Sequence, residues 1–303
     1  MTKKMDIDQH RFELLTRLGD SALIMGHRLS EWSGDAPTFE EDMAMSNIAL
    51  DLIGQARLWL TAASQAEGAG RTEDDLAYQR DVRDWRNLHL VELPNGDFGR
   101  TIVRQYFFDA YHLLMLEGLS RGSDREISGI AAKSLKEVRY HLRHSSGWVV
   151  RLGDGTQESH KRMVNALDIC TPCVPELFEV DEVYRALEAR GVVPAMKDLQ
   201  AQWECQVRTV LSEATLSMPE ITNPMSGGRT GLHSEHLGYL LAEMQFLQRA
   251  YPGATWGVRL LKIHDCGCLR CWIAFVIPRY RLSVFAIWES FEVLTYAMTK
   301  CRS

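Results

Sequence analysis

The sequence predicts an all-α protein built around an antiparallel helix bundle. Apolar residues recur at helical spacing along four long segments, turn residues separate these segments, and no segment alternates with the period of a β-strand. We expect the four long helices at about 8–31, 39–66, 98–122 and 125–152. Accessory helices are expected on the carboxyl-terminal side of this bundle.

The first two helices have one apolar face each. Their inward residues are Leu14, Leu18, Ala22, Met25 and Leu29 in the first helix, and Met45, Ile48, Leu52, Ala56, Trp59 and Ala63 in the second. A Gly/Pro-containing break at 34–37 separates the two helices. Thr38 is typical of an N-cap, and Glu41 follows it at the spacing of a capping box.

A polar stretch at 71–97 precedes the second half of the bundle, and we expect one short helix within this stretch. The inward residues are Ile102, Tyr106, Leu113 and Leu116 in the third helix, and Ala131, Leu135, Val138, Leu142 and Val149 in the fourth. Accessory helices are expected at about 156–170, 181–190, 197–217 and 234–249, with a Pro/Gly-rich loop at 218–231.

The bulk composition is that of a soluble globular protein. Of the 303 residues 46% are hydrophobic and 24% are charged, and the net charge of −6 gives no support to a nucleic-acid partner. We find neither a signal peptide nor an apolar run long enough to span a membrane. The seven irregularly spaced cysteines do not indicate a disulfide framework, so we expect a cytoplasmic location.

The carboxyl-terminal segment 257–303 differs from the rest of the chain. It holds seven Lys/Arg against three Asp/Glu, a balance of +4, and four of the seven cysteines. We therefore divide the chain into a helical domain at 1–256 and an atypical basic tail at 257–303. One hypothesis is that this tail is out-of-frame or read-through sequence, which mass spectrometry of the native protein would test.

The bundle interior lacks most ligands of a two-metal carboxylate site. Such a site takes one acid from each of two helices and an acid with a His three residues later from each of the other two. Hydrocarbon or thioether side chains occupy the inward positions at Met25, Leu52 and Val138, and these cannot bind a hard cation. Asp109 and His141 remain as isolated polar residues on the third and fourth helices.

An alternative metal site uses polar residues of the third and fourth helices only. Asp109 with His112, and Glu137 with His141, could hold one iron, manganese or zinc ion. The structural interpretation is an apolar core in which Asp109 and His141 are hydrogen-bonded, with the neutral Gln55 as a poor substitute for a His ligand. We favour the structural interpretation.

A basic stripe follows the outer side of the fourth helix. It consists of Lys133, Lys136, Arg139 and Arg143. A solvated helix surface explains these residues, and we favour that interpretation. A docking surface for an acidic partner or a phosphate-bearing ligand is the alternative, because clustered Arg and Lys recognise such groups.

Three further groups of residues give weaker signals. A Ser-capped, partly exposed helix start explains the first three of His233, Glu235, His236 and Glu243. The pair Cys170 and Cys173 has C-x-x-C spacing but lacks the preceding strand of a redox fold. The set His264, Cys266, Cys268 and Cys271 has tight spacing for a structural zinc site, and chance explains it better.

Several sequence blocks carry a family resemblance. They are NIALDLIGQAR at 47–57, DVRDWRN at 81–87, LPNG at 93–96, RQYF at 104–107, KEVRYHLR at 136–143, EATL at 213–216, EHLG at 235–238 and LAEMQ at 241–245. From about residue 14 to 256 the chain resembles the C subunits of bacterial phenylacetyl-CoA epoxidases, also called phenylacetate-CoA oxygenases. The resemblance covers over three quarters of the chain.

The resemblance implies a ferritin-like fold and a place in a multicomponent monooxygenase of phenylacetate catabolism. It implies that a related A-type subunit holds the catalytic di-iron centre, that a separate reductase carries FAD and an iron–sulfur cluster, and that this chain holds no cofactor and pairs with the A-type subunit. Its degenerate ligand positions would be Met25, Leu52, Gln55, Asp109, Val138 and His141. No catalytic residue is then expected in this chain.

Overall fold

The computed structural model of the chain describes residues 7–252, and within this range every regular element is helical. This confirms the all-α prediction. In chain order the α-helices are α1 (Ile7–Ser30), α2 (Phe39–Glu67), α3 (Glu73–Tyr78), α4 (His89–Glu92), α5 (Phe98–Leu119), α6 (Arg125–Gly153), α7 (Gln157–Cys170), α8 (Val174–Leu177), α9 (Glu182–Glu188), α10 (Met196–Glu213), α11 (Glu235–Met244) and α12 (Phe246–Ala250). Short 3-10 turns lie at Val82–Asp84, Thr171–Cys173 and Gly228–Thr230.

The four long helices form two antiparallel pairs. In the first pair α1 approaches α2 closely at Gly26 and Gly19, where a Cβ atom would lie 3.1 Å from the carbonyl oxygen of Ala49 and 2.8 Å from the Leu60 side chain, respectively. In the second pair Ser145 of α6 donates to Asp109 of α5, and Arg139 donates to Glu117 further along. In each pair, the residue numbers of the contacting residues rise along one helix as they fall along the other, so both pairs are antiparallel.

A long crossover joins the two pairs. Residues 68–97 run alongside α1 in the same direction, because Arg80 pairs with Asp20 near the middle of α1 and Asn95 donates to the Arg28 carbonyl near its end. This single long connection makes α2 antiparallel to α6, which is the connectivity of ferritin-like bundles. The crossover also covers a second side of α1, which explains why the polar side chain of Asp20 is fully buried.

The polar stretch at 71–97 contains more structure than the one short helix that the sequence predicts. Two α-helices, α3 and α4, and a 3-10 turn lie within it. The Thr72 and Asp75 side chains form a reciprocal capping box that starts α3. Such short helices carry too few residues for an apolar period, so periodicity alone does not reveal them.

Two predicted helices end earlier in the structure, and a third predicted helix is divided. Helix α5 ends at Leu119 rather than near 122, and α10 ends at Glu213 rather than near 217. The chain leaves α10 through Thr215, whose φ of 57° is incompatible with a continuing right-handed helix. The predicted helix at 234–249 is divided at Gln245 into α11 and α12.

The capping box predicted at the start of α2 forms only in part. Thr38 is the N-cap and its hydroxyl accepts from the backbone N–H of Glu41, as expected. The Glu41 carboxylate does not complete the box, because it contacts His144 of α6 at 2.8 Å. A long-range contact therefore takes the place of the local one.

The chain divides into two compact units, residues 1–245 and 246–303, of which the second includes α12. The domain boundary predicted at 256 stays a prediction, and the tail at 257–303 lies outside the described residues. None of the helices within residues 7–252 combines the length and the apolar composition that a bilayer crossing requires.

Candidate functional site

Apolar side chains fill the bundle interior at the three inward positions that the sequence analysis singles out. Met25, Leu52 and Val138 are each 0% exposed and belong to one continuous hydrophobic core. Their burial agrees with the inward faces predicted from the sequence. Their interpretation as former ligand positions stays a prediction.

Three polar contacts, which we call the α2–α6 ladder, cross between the facing sides of these helices. They join Gln55 Nε2 to Glu137 Oε2 at 2.8 Å, His141 Nε2 to Asp51 Oδ2 at 3.1 Å, and His144 Nε2 to Glu41 Oε2 at 2.8 Å. Glu137, His141 and His144 follow one another at steps of four and three along α6, and the structure places all three on the side that meets α2.

Asp109 is a fully buried carboxylate beside the ladder. It accepts hydrogen bonds from Gln105 Nε2 at 2.6 Å and from the Ser145 hydroxyl at 2.8 Å. Burial raises the pKa of Asp109 to about 7, although the charge of His141 and these two hydrogen bonds act in the opposite direction. The buried carboxyl group therefore holds its proton to a much higher pH than an exposed aspartic acid does.

The four residues of the alternative metal site do not form a ligand set. Glu137 is bound to Gln55, and His141 is bound to Asp51. Burial, and secondarily the charge of His141, lower the pKa of His112 to about 3, so its ring stays neutral against Phe108. Among residues 7–252 no group of three or more His, Cys, Asp or Glu side chains is placed to hold a metal ion.

Several buried polar atoms next to Asp109 have no hydrogen-bond partner within the described part of the chain. They are Gln55 Oε1, Gln105 Oε1, His112 Nδ1 and His141 Nδ1. His141 faces Asp51 through Nε2, so Nδ1 is the ring nitrogen that is left without a partner. The interior therefore combines hydrocarbon at its centre with a polar set that is only partly satisfied.

Two residues of the ladder, Asp51 and Glu41, were not predicted to take part in it. Asp51 lies four residues before Gln55, so both side chains project from the same side of α2. That spacing was the available signal for Asp51. It was obscured because Asp51 stands between apolar residues and is only half-buried.

The basic stripe lies on the outer side of α6, as predicted. Lys133, Lys136, Arg139 and Arg143 are all exposed. Arg139 pairs with Glu117 at 3.3 Å, and Arg143 lies over the ring of the exposed Tyr140. Exposure agrees with both interpretations of the stripe, so its use in docking stays a prediction.

His233 belongs to a buried network, which corrects its interpretation as part of an exposed helix start. Glu92, 1% exposed, accepts from His233 Nδ1, from Asn87 and from the N–H and hydroxyl of Ser234. Burial alone would raise the pKa of Glu92, but the bonds from His233 and Ser234 lower it. Ser234 is the N-cap of α11 by position, yet its side chain caps no helical N–H and instead donates to Glu92.

Glu176 forms a second buried carboxylate cluster. It accepts from the N–H and Nδ1 of His89 at 2.6 and 2.9 Å, and from the N–H of Gly228 at 2.8 Å. A Cβ atom at Gly228 would lie 2.3 Å from the Asn87 carbonyl oxygen, so glycine is required for this approach. Burial disfavours the charged form of His89. The hydrogen bond and the charge of Glu176 outweigh this and raise the pKa of His89.

The structure describes the remaining candidate cysteines and acidic residues as far as residue 252. Cys170 and Cys173 are buried free thiols, and burial raises the pKa of Cys170 to about 12, the opposite of what a redox-active thiol needs. Glu235 and Glu243 are exposed. The set His264, Cys266, Cys268 and Cys271 lies outside the described residues.

The fold and the interior define a class: an all-α, crossover-connected helix bundle with a closed apolar interior. The chain belongs to the family described as phenylacetic acid catabolic protein, whose sequence model matches residues 2–256. It is 48% identical over 240 residues to the C subunit of the 1,2-phenylacetyl-CoA epoxidase of Escherichia coli strain K12. That alignment covers 79% of this chain and 96% of the relative.

Proposed function

We propose that this chain is the C subunit of a multicomponent 1,2-phenylacetyl-CoA epoxidase and serves as its structural, non-catalytic partner. Support for the complex comes from the 48% identity to the C subunit of the E. coli epoxidase, which extends over 96% of that protein. Support for the non-catalytic role comes from one observation. Met25, Leu52 and Val138 fill the bundle interior with fully buried apolar groups.

The interior residues do not fit a di-iron centre. Iron in such bundles takes carboxylate and imidazole ligands from all four helices. Here α1 and α2 offer Met25 and Leu52 at the inward positions, and the imidazole of His141 is bound to Asp51. We therefore assign the di-iron centre to the A-type catalytic subunit, and FAD and the iron–sulfur cluster to a separate reductase.

A structural partner can assist catalysis by holding the catalytic subunit in its active form. Binding only to the folded catalytic subunit stabilises that fold by mass action, and ordered helices keep metal ligands in their productive positions. The rigid core of this chain, which combines α1, α2, α5 and α6, is suited to that task. The basic stripe would add attraction to an acidic partner or to the phosphates of coenzyme A.

The decisive experiment expresses the chain alone, the catalytic subunit alone, and both together. We expect the chain alone to carry less than stoichiometric iron and to leave phenylacetyl-CoA unchanged, whereas the pair with the reductase epoxidises it. We also expect the catalytic subunit to unfold at a higher temperature in the pair. Ring epoxidation by this chain alone would overturn the proposal.

One variant separates the structural function from a metal site built on Asp109. Asp109→Asn removes the charge of the most plausible ligand while leaving its size unchanged. We expect the iron content and turnover of the assembled complex to stay the same, as they should for the exposed control Asp198→Asn. A loss of metal or turnover in Asp109→Asn alone would favour the independent metalloenzyme instead.

A further inference from the structure

A pocket of about 160 Å³ opens between α7 and the segment that follows α10. Its polar lining consists of His160, Asp168, Thr215 and Ser217. It lies apart from the α2–α6 ladder, and neither the proposed function nor the family match uses it. Since one water molecule occupies about 30 Å³ in the liquid, the pocket has room for a group of several heavy atoms.

The hydrogen bonds around the pocket determine which polar atoms of its lining remain available to a ligand. His160 Nδ1 lies 2.7 Å from the carbonyl oxygen of Gly153, and a carbonyl can only accept, so Nδ1 carries the hydrogen. In a neutral imidazole with its hydrogen on Nδ1, Nε2 is the acceptor. The Thr215 hydroxyl also uses its hydrogen on the Gly153 carbonyl, at 3.4 Å, which leaves its oxygen as an acceptor.

The charge and the walls of the pocket narrow the choice of ligand. Asp168 contributes a carboxylate, and the basic side chain of Arg162 on the same helix is bound to Glu158 at 2.8 Å. Val164 and Leu216 supply apolar walls. An acceptor-rich, negatively charged pocket with apolar walls suits a cation that carries several N–H donors on a short hydrocarbon stem.

The backbone at the rim of the pocket is strained. Thr215 is β-branched, yet it adopts a φ of 57° in the left-handed region. Its neighbours hold it there: Leu216 N–H donates to the Leu211 carbonyl at 2.8 Å, and Ala214 packs against Gly153 at the end of α6. With the bond from the Thr215 N–H to the Ser212 carbonyl at 3.2 Å, the Leu216 bond completes a Schellman helix end, so the left-handed residue terminates α10 and fixes the rim of the pocket.

We propose that this pocket binds an alkylguanidinium group, with Asp168 and His160 Nε2 accepting its N–H donors. The group can come from a free small molecule or from an arginine side chain of another protein chain. Both sources present the same planar cation with five donors.

Ethylguanidinium ion tests the proposal on the full-length chain. We expect saturable binding that shifts the NMR resonance of His160 Nε2, and no comparable binding of the neutral analogue ethylurea. Asp168→Asn should weaken the binding at least about fivefold, since it removes the charge of the acceptor. His160→Asn keeps a donor near the Gly153 carbonyl but lacks the Nε2 acceptor, and it should weaken the binding by about threefold or more.

The matched control is Glu188→Gln, which removes one exposed negative charge at the end of α9. It should change the affinity less than about twofold. Equal effects of Asp168→Asn and Glu188→Gln, equal binding of ethylurea, or an unchanged His160 resonance would each overturn the proposal. Asp168 is exposed, so its Asn variant should fold, and circular dichroism would verify this.

A second titration, on the chain assembled with its catalytic subunit, separates the two sources. If an arginine of the partner fills the pocket, ethylguanidinium no longer shifts His160 in the complex, and Asp168→Asn weakens assembly. If the natural ligand is free, the His160 shift persists after assembly and Asp168→Asn leaves assembly unchanged.

Discussion

The buried carboxylates of the bundle interior and of the crossover differ in the number of hydrogen bonds that they accept. In the crossover network, which we define as the buried carboxylates Asp20, Glu92 and Glu176 with their donors, each carboxylate accepts three or four hydrogen bonds. In the interior, Asp109 accepts two bonds from neutral donors, and neighbouring acceptor atoms are unpartnered within residues 7–252.

These two sets of buried polar groups have opposite effects on the stability of the fold. A fully bonded carboxylate stabilises the elements that its donors come from, since separating the partners would leave a charge buried without compensation. A partly satisfied set costs free energy and needs another explanation. On the proposed function, the loss of a metal site from an otherwise retained fold would provide one, because it would remove the positive charge that balanced such groups.

The largest effect is expected in the crossover network. Asp20→Asn removes the carboxylate that pairs with both terminal nitrogens of Arg80 and accepts from the Arg86 N–H. Because both side chains are almost fully buried, we expect the free energy of unfolding to fall by roughly 3–5 kcal/mol. Urea unfolding followed by circular dichroism measures this.

Glu13→Gln is the matched control for that variant. Glu13 also lies on α1 and pairs with Arg86, but at 3.4 Å and with both side chains partly exposed. We expect a loss of less than about 1 kcal/mol. Similar losses in the two variants would mean that the crossover carboxylate is not the stabilising element that the contrast requires.

The second prediction concerns the apolar centre of the interior. Leu52→Glu places an acid where a ligand would be expected, without a cation to balance it. If burial raises the pKa of the new side chain by about two to three units, the unfolding free energy at pH 7 falls by about 3–4 kcal/mol.

The loss in Leu52→Glu should diminish at low pH, where the acid is neutral in both states. Leu52→Met is the control and should cost less than about 1.5 kcal/mol. A Leu52→Glu protein that is as stable as Leu52→Met at pH 7 would show that the interior already tolerates a ligand charge. The interior would then not be a closed hydrocarbon core.

The third prediction concerns the partly satisfied polar set. The folded-state pKa of Asp109, about 7, lies above the unfolded value near 3.8, so folding takes up a proton between these pH values. The carboxyl therefore costs nothing below about pH 4, and its cost grows as the pH rises to 7 and then stays constant, reaching about 4 kcal/mol.

Asp109→Asn removes that ionisation. We expect the variant to be more stable than the parent chain by up to about 4 kcal/mol at pH 8, with the advantage disappearing near pH 4. Thermal unfolding between pH 4 and 8 measures it, and Asp198→Asn should show no such pH dependence. A variant that is less stable at pH 8 would mean that the Asp109 charge is compensated in the fold.

The difference between the two regions also explains which features of the structure the sequence predicts and which it does not. The four long helices follow from apolar spacing over many turns, and the burial of Leu52, Asp109 and His141 follows from their places in those stripes. The crossover network does not follow, because α4 and α8 have four residues each and carry no period. Its pairs join distant residues, such as Glu92 with His233, and only the fold brings these together.

The smallest effect on stability is expected at the basic stripe. Lys133→Glu combined with Lys136→Glu changes two exposed residues on the outer side of α6, so the unfolding free energy should change by less than about 0.5 kcal/mol. If the stripe docks an acidic partner, the same double variant should weaken assembly with the catalytic subunit, most strongly at low salt.

Lys197→Glu combined with Arg208→Glu is the matched control for the stripe, because it makes the same change of charge on exposed residues of α10. Equal effects of the two double variants on assembly would leave the stripe as a solvated surface. A selective loss in the α6 variant would give this one helix two separate uses. Its inner side would support the core through His141 and Val138, and its outer side would carry the complex.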